Sequence, residues 1–344
     1  MNSTTANNSG SVGKTYLILI VGLVAHAFTA PWVKMSNFEP ATSTILRCGL
    51  AFFFLLPFAI SEIKKMGKIN KKGVMFSIIA GLFLGVDFIA FNYSIYYVGA
   101  GVAAILLNLQ VIILPALAFF FDGEKVPKSY YFIAPVLILG VAMSGGIFDG
   151  GGAEIGPATI YGIDRALLGT IAGAVSGVCY GFYLYFSRKA SRINDGQFIQ
   201  PMTYSTLAQL VAPFFFTFIS GRGFDITNGV LVNGQLPMNP ETTVGDPITA
   251  TNWLWMIVLA SVGQAMVWTF IQYGSVRLNP TVVAGMLLLS PIATVGLISI
   301  VLFGEKPSTI QIIGIVIVLV LVAFQNGVFD NFTGGGKKKA ISPQ

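Results

Sequence analysis

Charge is scarce in this chain. Asp, Glu, Lys and Arg make up 10% of 344 residues, against about 25% in a water-soluble domain, which excludes an ordinary soluble globule. There is a single histidine, His26, and there are two cysteines, Cys48 and Cys179, far apart and each within an apolar run. So thin a supply gives neither a disulfide framework nor a set of metal ligands, and both cysteines read as packing residues. No G-x-x-x-x-G-K-[ST] loop occurs, and the glycine run Gly150-Gly151-Gly152 follows no strand pattern. ATP hydrolysis by this chain is therefore not expected, nor is any cofactor. The net charge of +6 sits in short loops between apolar runs, so it gives no reason to invoke nucleic acid.

What the chain has in quantity is apolar surface: 54% of its residues are hydrophobic. Bounded by charge, Pro or Gly, the apolar runs form ten segments, at 14–35, 39–62, 73–97, 100–122, 129–147, 167–189, 197–220, 250–274, 279–303 and 308–328. Each is about the length that ~30 Å of hydrocarbon demands of a helix. No run alternates as a barrel strand would, and backbone groups in lipid must bond within their own segment, so helices are expected throughout. Residues 1–13 read as a disordered polar leader rather than a signal peptide, and 329–344, with Lys337-Lys338-Lys339, as a flexible basic tail.

One stretch is written twice. Ser94–Val126 set against Ser275–Pro307 aligns Ser94 with Ser275, Val102 with Val283, Leu106 with Leu287 and Gly123-Glu124-Lys125 with Gly304-Glu305-Lys306, at a constant offset of 181 residues. The loops on the side of the two termini carry most of the twenty Lys and Arg, notably Lys64, Lys65, Lys68, Lys71 and Lys72. Lysine and arginine favour the cytoplasmic side, which puts both ends in the cytoplasm. Each copy then holds an odd number of spans, so the second enters the membrane upside down relative to the first. The expected organisation is an all-α integral membrane protein of the cell membrane, with ten transmembrane helices as two inverted five-helix repeats. These are 14–147 and 167–328, joined by an external connection at 148–166, with an external loop at 220–250. Inverted halves suit a midplane site that opens to one side at a time.

The paired Gly-Glu-Lys turns, Leu289-Ser290-Pro291 in the ninth segment, and Arg47 ahead of Leu56-Pro57 in the second complete a pattern that resembles the EamA-type transporters of the drug/metabolite transporter superfamily. The resemblance covers about 14–328. It implies a gradient-dependent carrier of small metabolites, often an exporter of amino acids or related compounds, with a central cavity between the halves. Two departures fall where such a cavity would be lined. Gln110 stands at the position matching Pro291, and the tryptophan common in the first segment is replaced near His26-Ala27-Phe28-Thr29-Ala30-Pro31.

Asp87 lies near the middle of the third segment, where a charge costs about 3 kcal/mol or more and so faces a cavity or a partner. A carboxyl that takes up and releases a proton there would couple protons to transport; the plainer reading is a neutral carboxyl bonded between helices. His26, at similar depth, is the second candidate for proton coupling and a possible partner of Asp87. Arg47 could contact an anion or simply pair with backbone. Substrate contact is assigned to Tyr180 and Tyr183, on a stripe with Ser176 and Ser187, and to Gln264 and Trp268, on a stripe with Ser261 and Gln272. Asn108 and Gln110 are further polar candidates. Trp268 stands 181 residues after Asp87, an acid and an aromatic ring at matched positions, and such a ring attracts a cationic amine by ~0.5–2 kcal/mol. Gly169, Gly173, Gly177 and Gly181 form a small-residue ridge for close helix packing.

These residues point to a carrier, not an enzyme, for a small polar or zwitterionic solute, with lipid as its surroundings and a homodimer left open as an assembly. A nucleotide-sugar or sugar-phosphate carrier is the alternative within the superfamily, although only Arg47 among the cations lies at depth. A membrane receptor or scaffold is the alternative outside transport.

Overall fold

Proline, glycine and asparagine set where the helices begin, end and break. The computed structural model describes residues 4–123, 128–148, 157–194, 197–220, 223–240, 242–277, 286–287, 289–295, 300–304 and 306–325. Helix α1 spans Thr4–Ala27 and α2 spans Thr29–Ser36. They divide where Pro31, lacking an N–H, leaves the Ala27 carbonyl without its helical donor. Helix α3, Pro40–Met66, starts on Glu39, whose Oε2 accepts from Ala41 N at 2.8 Å and Thr42 N at 2.9 Å. Proline at the first position costs nothing there, since that amide would be unpaired anyway. Helix α4, Lys71–Val98, is capped by Asn70. After Gly99 the fourth apolar run is α5, Ala100–Leu106, a 3₁₀ turn at Leu107–Leu109, and α6, Gln110–Asp122.

Helix α7 is Tyr130–Ser144, and α8, Arg165–Ile193, starts on Asp164. Helices α9, Ile199–Ala208, and α10, Val211–Ile219, part at Gln209, the residue whose carbonyl loses its helical donor to Pro213. Helix α11, Ala250–Val258, opens on a capping box between Thr249 and Asn252, continues as a π-helical segment at Leu259–Met266, and ends as α12, Val267–Arg277. Helical pieces at Leu289–Ala293 and Ile300–Phe303 and a helix at Thr309–Gln325 follow.

Seven of these stretches are long and apolar enough to cross a membrane, and Tyr130–Ser144 and Thr309–Gln325 are shorter apolar helices. Large apolar side chains point outward, with Phe218 and Ile219 each 82% exposed. That surface is unfavourable in water and suited to lipid. The chain is a multi-pass helical membrane protein.

The helices pack in a pattern that survives exchange of the two halves. Helix α4, from the third apolar run, lies along α8, from the sixth, while α12, from the eighth, lies along α1. Helix α3 packs on α9 and on the π segment, α4 packs on α9, and α7 packs on the Thr309–Gln325 helix. The glycine ridge of α8 makes its approach possible: a methyl added at Gly177 would lie 2.8 Å from Leu109 Cβ, and one at Gly181 would lie 2.6 Å from Ile113 Cγ2. Phe83 of α4 stacks on Phe182 of α8 with centroids 4.5 Å apart.

Two clasps join the halves at opposite ends of α3. At one end the Glu62 carboxylate accepts from the amides of Phe198 and Ile199 at 3.3 Å and of Gln200 at 2.8 Å, capping α9 from a neighbouring helix. Gln200 Nε2 donates in turn to Gly67 O at 2.9 Å. At the other end Asn37, with φ 58°, accepts on Oδ1 from the amides of Val230 at 3.1 Å and Leu231 at 2.8 Å. The long segment after α10 is thereby ordered against the start of α3.

The structure departs from one sequence expectation at the N-terminus. Helix α1 extends back to Thr4, through the leader expected to be disordered, because lengthening a formed helix fixes one residue per hydrogen bond while starting one fixes several. The 148–166 connection, expected between helices, holds a short hairpin, β1 at Thr159–Ile160 and β2 at Ile163–Asp164. Its turn, Tyr161-Gly162, has both φ positive, the geometry that suits a two-residue hairpin. The 329–344 tail, Gly150-Gly151-Gly152, Glu124, Lys125, Glu305 and about half of the ninth segment lie outside the described residues.

Candidate functional site

Two of the helix breaks, that between α1 and α2 and the 3₁₀ turn after α5, open onto one cavity of about 110 Å³. Its wall takes His26 and Thr29 from the α1–α2 break, Arg47 from α3, Asp87 and Phe88 from α4, and Asn108 and Gln110 from the 3₁₀ turn and its exit. Tyr180 from α8, Trp268 from α12, and Ser290 and Thr294 from the ninth run complete it. At a rise of 1.5 Å per residue, Arg47 lies about 10 Å below the start of α3 and Asp87 about 16 Å below the adjacent end of α4. A ~30 Å hydrocarbon layer bounded at those helix ends would put Asp87 near its middle and Arg47 about a third of the way in.

The polar side chains of the wall have specific partners. Ser176 donates to Asp87 Oδ1, which ties α4 to α8. His26 Nδ1 is 2.6 Å from Ser290 Oγ, and the imidazole stands edge-on to Trp268 at 6.0 Å. The expected pairing of His26 with Asp87 is thus replaced by a contact to the ninth run. Thr294 Oγ1 lies 2.9 Å from Ala27 O, the carbonyl that Pro31 leaves without a helical donor, and 2.9 Å from Ser290 O of its own helix. Its single hydrogen serves both acceptors, so a hydroxyl of the ninth run reaches a backbone group of the first in the low-dielectric interior. Asn108 Nδ2 turns back to Ala104 O at 3.1 Å and Ile105 O at 3.2 Å, serving the carbonyls of its own interrupted helix.

Arg47 is 2% exposed, with Cζ 3.9 Å above the Phe88 ring. Its Nε donates to Gln264 Oε1 at 2.9 Å. Tyr180 and Tyr183 stack at 5.9 Å, and Trp268 meets both edge-on, at 5.9 and 5.5 Å.

Seven of the nine residues singled out from the sequence line the cavity: His26, Arg47, Asp87, Asn108, Gln110, Tyr180 and Trp268. Gln264 lies behind Arg47, not on the wall. Tyr183 supports Trp268 from the side and points to a small separate void with Ser187 and Gln272. The sequence reasoning passed over Thr294, four residues after Ser290 on the same helical face, and the role of Ser176, which it had placed on the α8 stripe without a partner. Among the described residues no group of His, Cys, Asp and Glu is arranged to hold a metal ion.

No curated protein matches the chain. A solved structure described as "Crystal structure of protein" is similar over 95% of this chain and 99% of its own, at 14% identity and a TM-score of 0.57, a likeness of fold alone. The family model of the EamA-like transporter family matches residues 13–146, the stretch that supplies His26, Arg47, Asp87, Asn108 and Gln110. The stretch similar to that family thus supplies one side of the cavity wall.

Proposed function

We propose that the chain is a secondary active carrier that exports small polar or zwitterionic metabolites, amino acids or close relatives of them, across the cell membrane by alternating access. In this reading it crosses the membrane ten times as two inverted five-helix halves, 14–147 and 167–328, with both termini in the cytoplasm. The exchange-symmetric packing of the helices supports the inverted halves. So do the matched glycines that end the repeated stretch, Gly123 at φ 66° and Gly304 at φ 63°.

The observation that carries the proposal is the cavity itself. It lies at the seam of the halves, takes wall residues from both, and sets one guanidinium and one carboxylate among aromatic rings. A zwitterion matches that pair of charges, and the Trp268 and Tyr180 faces suit an ammonium or an apolar side chain. Asp87 and His26 are the groups proposed to carry the coupled proton; Arg47, Tyr180, Trp268, Asn108 and Gln110 are proposed to meet the solute. Gln264 and Tyr183 move from solute contact to support of the wall. A sugar-phosphate cargo would require several cations, and among the described lining residues Arg47 is the only Lys or Arg.

The test is flux in proteoliposomes with a panel of radiolabelled amino acids and amines, with and without a pH gradient. Uptake of at least one zwitterion, raised several-fold by the gradient, is expected. Ligand-dependent thermal stabilisation without flux of any panel member would replace the carrier by a receptor.

A further inference from the structure

Among the described residues, three hydrogen-bond donors on the cavity wall have nothing to donate to. Arg47 Nη1, Trp268 Nε1 and Thr29 Oγ1 are buried without a partner there, and all three residues line the same cavity. Buried donors are normally paired, so the cavity is suited to an acceptor. Asp87, the one carboxylate among the described lining residues, accepts from Ser176 instead.

The reason the guanidinium is left open lies in a relay reaching it from the other half of the chain. Arg47 Nε donates to Gln264 Oε1 at 2.9 Å, and Gln264 Nε2 donates to Gln209 Oε1 at 3.1 Å. Gln209 Oε1 also accepts from Cys48 Sγ at 3.2 Å, and its Nε2 donates to Ser205 Oγ at 3.4 Å. Arg47, Gln264 and Gln209 are each 2% exposed. Two backbone irregularities supply the amides: Gln264 sits in the π-helical segment and Gln209 at the α9–α10 break. Every member beyond Arg47 is neutral. A carboxylate at 264 would orient the cation equally well and cancel it; an amide orients it and leaves its charge available. Guanidinium has five donors in a fixed fork. With Nε committed to Gln264 and Cζ held 3.9 Å over the Phe88 ring, the other end of the fork is placed where a planar oxyanion can be gripped.

We propose that the cavity contains a carboxylate subsite formed by Arg47 Nη1 and Trp268 Nε1, and that Gln264 and Gln209 are positioning residues that hold the guanidinium toward it without neutralising it. The inference rests on the carrier reading and deepens it: the solute must present a free carboxylate. The carboxylate lies against the Arg47–Trp268 wall, which leaves the Asp87 side of the cavity for its ammonium group.

The experiment measures binding to the purified full-length protein in detergent, using each amino acid of the transport panel and its methyl ester. Wild-type protein is expected to bind the acid at least tenfold tighter than the ester for any amino acid it binds. Gln264→Glu keeps an acceptor for Nε but places a negative charge beside the cation, so the acid should weaken at least tenfold while the ester stays within about twofold. Trp268→Phe, which keeps a ring and loses the N–H, should narrow the acid-over-ester ratio several-fold. Equal binding of acid and ester by wild-type protein overturns the subsite, as does Gln264→Glu weakening both alike. Should Gln264→Glu lose its cooperative thermal transition, Arg47→Lys decides, because it keeps the charge, lacks the fork and should lose the acid preference. Flux without acid-over-ester discrimination sinks the subsite and leaves the carrier. Discrimination without flux sinks the carrier and leaves the subsite, and no binding of any acid on the panel sinks the subsite outright.

Discussion

Ser176 donates its hydroxyl hydrogen to Asp87 Oδ1, and this bond crosses from the sixth apolar run to the third at the wall of the cavity. A carboxylate held in this way can change its protonation without losing its place. Asp87→Asn keeps an oxygen for Ser176 and removes the titratable proton. It is therefore expected to reduce pH-driven flux at least tenfold while solute exchange at equal pH persists and the melting temperature changes little. Ser176→Ala should instead cost about 1–3 kcal/mol of stability, as a buried acceptor loses its partner. Parallel flux and thermal-unfolding measurements check both; undiminished pH-driven flux in Asp87→Asn would remove that residue from the coupling step.

The two Gly-Glu-Lys turns give a test of orientation. In a chain with Cys48 and Cys179 replaced by serine, Glu305→Cys should react with an impermeant maleimide on intact cells, and Glu124→Cys only after permeabilisation. Reaction of both from one side would rule out inverted halves.

Helix contact gives a pair of glycine substitutions with opposite signs. A methyl at Gly85 would lie 2.5 Å from Gln209 O, a backbone atom that cannot swing aside. Gly85→Ala should therefore destabilise by about 1–3 kcal/mol, the usual cost of overpacking, and disturb the relay behind Arg47. At Gly49, in the same membrane region, a methyl meets nothing within 4 Å. Gly49→Ala should be neutral or stabilising by up to about 1 kcal/mol, from helix propensity alone. Thermal unfolding of the two variants in one detergent compares them directly.

Asp225, in the segment after α10, lies outside the apolar helices and makes a pH prediction possible. Its carboxyl is held below the usual carboxylate range by the Thr227 hydroxyl at 2.6 Å and amide at 2.7 Å, with Asn228 adding weaker bonds. A depressed folded value means that the contribution is present above the ordinary Asp range and is lost as pH falls through the folded value. Protection of the Thr227 and Asn228 amides, corrected for intrinsic exchange, should be flat from pH 5 to 8 and fall only below about pH 4. Asp225→Asn should show weaker protection at every pH.

Much of the site was legible because a midplane charge or a polar stripe on an apolar helix stands out against its background. His26, Asp87, Tyr180 and Trp268 were all found by depth and period, and all line the cavity. The stripe that pairs Gln264 with Trp268 assumes an unbroken α-helical period. The π-helical segment over Leu259–Met266 has more residues per turn, so Trp268 faces the cavity while Gln264 turns to Arg47. Asn108 was found, but not that the 3₁₀ turn would occupy its amide with carbonyls of its own helix. The helix breaks carried a sequence signal in Pro31 and Pro213, each four residues after a carbonyl left without its donor. The partner of the Ala27 carbonyl lies in distant sequence, and no local pattern reveals Thr294 bonding to it.

The clasp of Glu62 on the start of α9 has an energetic corollary. Its three amide donors meet a carboxylate near the end of α3, where water is at hand once the segments separate. Parting them exchanges protein hydrogen bonds for hydrated ones, a swap whose net cost is about 0.5–1.5 kcal/mol per bond. Under the proposed alternating access, the resistance to opening at that end would come chiefly from prying apart apolar side chains, and the clasp would act as a registration pin that returns α3 and α9 to the same alignment on closing.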